Sequence, residues 1–108
     1  ISLEDCSLEF SNQLNPIATF KEKEGLTLVI KEEKAKQEDF EYNSVFKCIS
    51  LGAHSSLTSV GLIAAISKLL SNEGITCNVF SGYFHDHLFV QKSLSKTALE
   101  LLNNIKPK

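Results

Sequence analysis

Two stretches of this 108-residue chain carry residue types at spacings that could do chemistry. The first runs from His54 through Ser55, Ser56, Thr58, Ser59, Val60 and Gly61 to Leu62, where a polar loop opens an apolar-striped helix. Backbone N–H groups in the first turn of a helix have no intrahelical acceptor, and the helix dipole adds partial positive charge, so such a start can hold a carboxylate. All 11 basic residues are Lys, so a backbone cradle replaces the guanidinium that commonly does this work. Gly61 inside a helix would cost about 1 kcal/mol relative to Ala. Two reasons would justify it: a ligand approaching the backbone, or a helix lying close to the sheet while Ser55, Ser56 and Thr58 serve only as caps.

The second stretch is Tyr83-Phe84-His85-Asp86-His87. A ligand's ammonium group needs carboxylate or carbonyl acceptors, and from Ser44 onward the acids are Glu73, Asp86 and Glu100. Asp86 is the one in a suitable place, in a hairpin turn where it would also accept backbone or imidazole hydrogen bonds, with one flanking His facing the His54 loop.

Other chemistries fit less well. Alternate residues of a strand share a face, so His85 and His87 could begin a metal site, but no third ligand has a recognisable spacing. Neither a metal nor any other cofactor is expected. A triad from Ser55 or Ser56 with His54 or His85 and Asp86 lacks a nucleophile elbow, so no enzyme is expected. Without Arg and with a net charge of −2, the chain is a poor nucleic-acid binder. Cys6, Cys48 and Cys77 are odd in number and show no CxxC pair, which favours buried, reduced thiols over disulfides or zinc. No apolar run approaches the roughly 20 residues of a membrane helix, and no basic-then-apolar leader opens the chain. A cytoplasmic protein is expected.

These stretches need elements to position them. Ile17–Phe20 and Leu26–Ile30 are β-prone runs joined by a charged link ending in Gly25, which reads as a hairpin. Ile1 to Asn15 shows weak periodicity and reads as loop or partial strand. Lys31 to Glu41 is dense in charge and reads as a short solvated helix or turn. Ser44–Leu51 has apolar residues on both faces, which predicts a central strand. Leu62, Ile63, Ile66, Leu69 and Leu70 form one helical stripe, with Thr58 or Ser56 as cap and Gly74 as the left-handed residue after its end. Ile75–Ser81 and Leu88–Val90 are strands around a turn at Gly82–His87. Leu94, Ala98, Leu101, Leu102 and Ile105 mark a last helix, capped by Ser93 or Ser95. The order β-α-β-β-α from Ser44 predicts an α+β, ferredoxin-like sandwich with an antiparallel sheet and helices on one face.

The run K-C-I-S-L-G-A-H-S-S-L-T-S-V-G-L, continuing to G-Y-F-H-D-H-L-F-V, resembles the ACT domain. It is most similar to small stand-alone bacterial ACT-like proteins with H-S-S-L-x-x-V-G-L and Y-H-D-H motifs, and P-I-A-T-F-K-E-K-E-G-L-T-L-V-I fits them too. The resemblance spans about Leu14 to Ile105. It implies a tandem of an abbreviated half, residues 1–43, and a fuller half, residues 44–108. It also implies side-by-side association, here as a homodimer, and a small amino acid bound where the strand ends and the helix begins. The ligand-binding set is then His54, Ser55, Ser56, Thr58, Ser59, Val60, Gly61, Leu62, His85 and Asp86. The expected role is regulation or sensing without catalysis; the alternative is an interaction module that keeps the fold without a ligand. Members of that subfamily carry a further strand-bearing segment upstream, so either that piece is missing or Ile1–Phe10 is its divergent remnant.

Overall fold

In the computed structural model, residues 1–51 and 61–104 are described. They fall into two compact units, Ile1–Asn43 and Ser44–Lys108.

In the first unit, β1 (Ser2–Leu3), β3 (Gly25–Val29) and β2 (Ala18–Glu22) form an antiparallel sheet in that order. The expected hairpin is present, but its link is tighter, because Lys21, Glu22 and Gly25 join the ladder and leave Lys23 and Glu24 to turn. The opening stretch is a correction. It holds β1 and a helix, α1 (Leu8–Gln13), in place of a loop. The Ser7 hydroxyl caps α1 by accepting from the Phe10 N–H at 3.1 Å. The inward positions are Ser11 and Leu14, with Phe10 edge-on to Phe40, while Leu8 faces solvent. A serine at the inward position hid the helical period. The charged segment forms α2 (Glu32–Gln37), a solvated helix that buries Ala35 and carries Lys34–Glu38 and Lys36–Glu32 pairs at 3.9 and 4.0 Å. Such surface pairs contribute little.

In the second unit, β4 (Phe46–Ser50), β6 (Asp86–Gln91) and β5 (Asn78–Ser81) form an antiparallel sheet in that order. The centre is β6, and β4 lies at an edge, contrary to the expectation from its two apolar faces. Three successive buried residues, Leu88, Phe89 and Val90, mark the true central strand. Leu88 and Val90 pack with Ile66 and Leu70 of α3 (Leu62–Ser71), with Ile75, and with Ala98 of α4 (Ser95–Asn103). Phe89 points to the other face, edge-on to Phe80. Both helices therefore serve one face of the sheet, and the β-α-β-β-α order is that of an α+β, ferredoxin-like half.

The ends of α3 follow from local rules. Gly74, at φ +73°, takes the left-handed turn, and the Ile75 N–H closes on the Leu70 carbonyl at 3.0 Å. The start of α4 differs from expectation. A 3₁₀ turn (Lys92–Leu94) leads into it, and the Ser95 hydroxyl donates to the Lys92 carbonyl at 2.9 Å instead of capping. Ile105 lies outside the described residues.

Candidate functional site

The strand β4 ends at Ser50, beside the start of β6, and α3 begins after Gly61. His54, Ser55, Ser56, Thr58, Ser59 and Val60 lie outside the described residues, as do the expected caps. Gly61 and Leu62 are described, and they change the reading of the glycine. Gly61 sits just before the helix, at φ +86°, with its carbonyl accepting from the Ala65 N–H at 2.9 Å. It is the capping residue, with no side-chain cap bond, and no acid occupies the first turn of α3. Its backbone angle requires glycine because a Cβ is disfavoured in that region. A Cβ built there would meet no described atom within 4 Å, so close helix-to-sheet packing is not the reason for the glycine. Leu62 is half-buried and packs against the core.

Asp86, the acid of the expected ligand-binding set, is described. It opens β6 instead of lying in the turn, so the turn is Gly82–His85, closed by the Gly82 N–H donating to the His85 carbonyl at 2.9 Å. Strand alternation puts the Asp86 side chain on the helix-facing side with Leu88 and Val90. It is 6% exposed. Its carboxylate takes part in no hydrogen bond or ion pair among the described residues, so the expected backbone or imidazole donors are absent there. Neither of its oxygens is a fully buried, unpartnered atom, a condition that His85 Nδ1 meets among the described side chains. The backbone of Asp86 is well held: its carbonyl accepts from the Leu51 N–H at 2.9 Å.

The histidines lie on the other side. His87 alternates with Asp86 and pairs across the sheet with Ser50, whose hydroxyl lies 2.7 Å from Nδ1. The His85 ring is 6.2 Å from that of His87, and its buried Nδ1 has no hydrogen-bond partner among the described residues. The expected grouping of His85 with Asp86 therefore divides: Asp86 belongs with the helices, and His85 with His87. No three His, Cys, Asp or Glu side chains among the described residues converge as a metal would need.

The sequence reading passed over Ser50 and took Cys48 only as a thiol. They alternate on β4, with Cys48 Sγ 3.9 Å from Ser50 Oγ, and pairing β4 with β6 would have placed Ser50 beside His87. The cysteines also correct an expectation, since none is buried: Cys48 is exposed, and Cys6 and Cys77 are intermediate. Partial burial pushes the Cys77 thiol above the ordinary 9.0 by desolvating its thiolate. Tyr83 and Phe84, at 82% and 73% exposure, meet edge to face at the hairpin tip.

Among the described residues, Asp86 therefore lies where β4 ends and β6 begins, and Gly61 directly precedes the first turn of α3. Two family models, both described as ACT domain, match the chain, one over residues 4–47 and one over residues 42–104. The crystal structure of a protein of unknown function from Vibrio cholerae, described as a "Possible Transport Protein", is similar, with a TM-score of 0.87 and 47% identity. The similarity covers 94% of this chain and 77% of that one. No curated protein matches the chain.

Proposed function

The chain belongs to the ACT-domain family, and on that premise we propose that it is a non-enzymatic regulatory or sensor module whose second half binds a small amino acid. The observation that supports this reading is Asp86, a residue 6% exposed whose carboxylate makes no hydrogen bond or ion pair among the described residues, on the face of the sheet that the helices cover. In this reading Asp86 takes the ammonium group, and the first-turn N–H groups of α3 take the carboxylate. The loop residues His54, Ser55, Ser56, Thr58, Ser59 and Val60 complete the site, while His85 acts through the opposite face.

We infer further that the module works in the cytoplasm as a homodimer. Among the described residues, edge strands β4 and β5 each leave one side of the second unit's sheet unpaired, and association is a common way to cover such edges. Binding then stabilises one association geometry over another, which is the thermodynamic content of sensing. No described helix is long and apolar enough to cross a membrane.

A thermal-shift screen with the twenty amino acids at millimolar concentration tests the reading. A ligand at 100 times its dissociation constant adds about 2.7 kcal/mol of stability, an easily measured rise in Tm. No shift with any of them favours an interaction module that keeps the fold without a ligand.

A further inference from the structure

The geometry points to a second site, in which His85 and His87 form a two-imidazole chelate for monovalent copper, held between His85 Nδ1 and His87 Nε2. It is independent of the amino-acid reading, because His87 lies on the face of β6 turned away from Leu88 and Val90 and the helices they meet.

His87 is already oriented. Ser50 Oγ lies 2.7 Å from its Nδ1, which leaves Nε2 as the nitrogen without a hydrogen bond among the described residues. A hydrogen bond to the non-ligating nitrogen is how metal-binding imidazoles are commonly held in place. That Nε2 lies at the level of His85. The Gly82 N–H donates to the His85 carbonyl at 2.9 Å, so Gly82 and His85 oppose each other one step beyond the last β5–β6 pair, Ser81 and Asp86. A Cβ built on Gly82 would stand 3.6 Å from His87 Nε2 and 3.1 Å from the His85 carbonyl oxygen. Gly82 has no left-handed φ, so space and not backbone angle accounts for the glycine, and its missing side chain leaves room beside Nε2.

His85 supplies the second nitrogen. Its Nδ1 is buried without a hydrogen-bond partner, and an ion is one of the recognised explanations for such a group. The two ring centroids are 6.2 Å apart. Imidazoles on opposite sides of one ion, each nitrogen about 2.0 Å from it, have centroids about 6 Å apart, so ring rotation without backbone movement completes the site. The donor set selects the ion. No three His, Cys, Asp or Glu side chains converge among the described residues, which disfavours zinc and other ions that take three or four protein ligands. Monovalent copper is satisfied by two nitrogens in line, and imidazole suits copper. Thiolates bind the same ion, and Cys48 Sγ lies 3.9 Å from Ser50 Oγ, so the test must separate the two.

The test is titration of the full chain with Cu(I), kept reduced by ascorbate, against a chromophoric Cu(I) chelator, with zinc as a second probe. Wild type and Cys48→Ala should take up one equivalent with equal affinity, and zinc should not compete. Ser50→Ala should bind about 10–100-fold more weakly, the range for losing an outer-shell partner, and His85→Ala and His87→Ala more weakly still. X-ray absorption should show nitrogen and no sulfur around the copper. Circular dichroism checks each fold, and His85→Gln, at the turn, carries the test should His87→Ala fail to fold. Uptake that survives the histidine variants but is lost in Cys48→Ala, or sulfur around the copper, assigns the ion to a thiol and overturns the inference. So does a wild type that takes no copper from the chelator, or one that binds zinc as tightly.

Discussion

The backbone N–H of Leu51 donates to the carbonyl of Asp86 at 2.9 Å, one step beyond the last β4–β6 pair, Ser50 and His87. This bond fixes the Asp86 backbone where β4 ends, while the carboxylate on the same residue stays unpartnered among the described residues. A firmly held backbone carrying an acid without a described partner leaves that acid available to a ligand.

The second unit should be sensitive to cavities behind that bond. Leu88 is fully buried between the sheet and α3 and α4. Leu88→Ala should cost about 2–5 kcal/mol in urea unfolding, the range for a buried leucine that leaves a cavity. A loss below about 1 kcal/mol would mean that the helices do not depend on this face of β6.

Gly61 is predicted to matter through its backbone. Gly61→Ala should destabilise the fold by about 1 kcal/mol or more, because φ is +86° there, and Gly61→Asn by less, because Asn tolerates left-handed backbone better. Equal losses in the two variants would point to side-chain crowding, which the open space among described atoms argues against.

The thiols should differ in reactivity. Cys48 is exposed, whereas burial raises the Cys77 pKa above 9.0, so alkylation followed by mass spectrometry should label Cys48 first. The stability consequence has a definite sign. Between 9.0 and the raised value, folded Cys77 keeps a proton that the unfolded chain has lost. Its contribution is therefore whole below 9.0 and declines as pH rises past it. The urea midpoint of the wild type should fall more than that of Cys77→Ala between about pH 8 and pH 10. Parallel falls would remove Cys77 as a contributor.

Much of this was legible in the sequence, for physical reasons that differ by element. The stripe from Leu62 to Leu70 and the glycine after it determine α3 and its end by short-range rules, and both appear as expected. The order of β4, β5 and β6 depends on long-range pairing. Apolar faces on β4 mimicked a central strand because Phe46 and Cys48 look toward solvent on an edge, which alternation cannot distinguish from burial. Helix α1 was missed because its inward side includes Ser11. At the site, Asp86 was found by elimination among three acids. Its separation from His85 was not legible, since it turns on whether β6 begins at Asp86 or two residues later. The Ser50–His87 contact joins residues 37 apart and needs the strand register.

The most direct test of the central claim is the urea stability of Asp86→Asn beside wild type, measured with and without the amino acid that raises Tm most. If Asp86 is kept for a ligand, the fold does not depend on its charge. The variant should then be as stable as wild type or more so without the amino acid, and should lose most of the stabilisation the amino acid gives. An Asp86→Asn chain that is markedly less stable without any ligand, yet stabilised as much as wild type by the amino acid, would show that Asp86 holds the fold and that the ligand binds elsewhere.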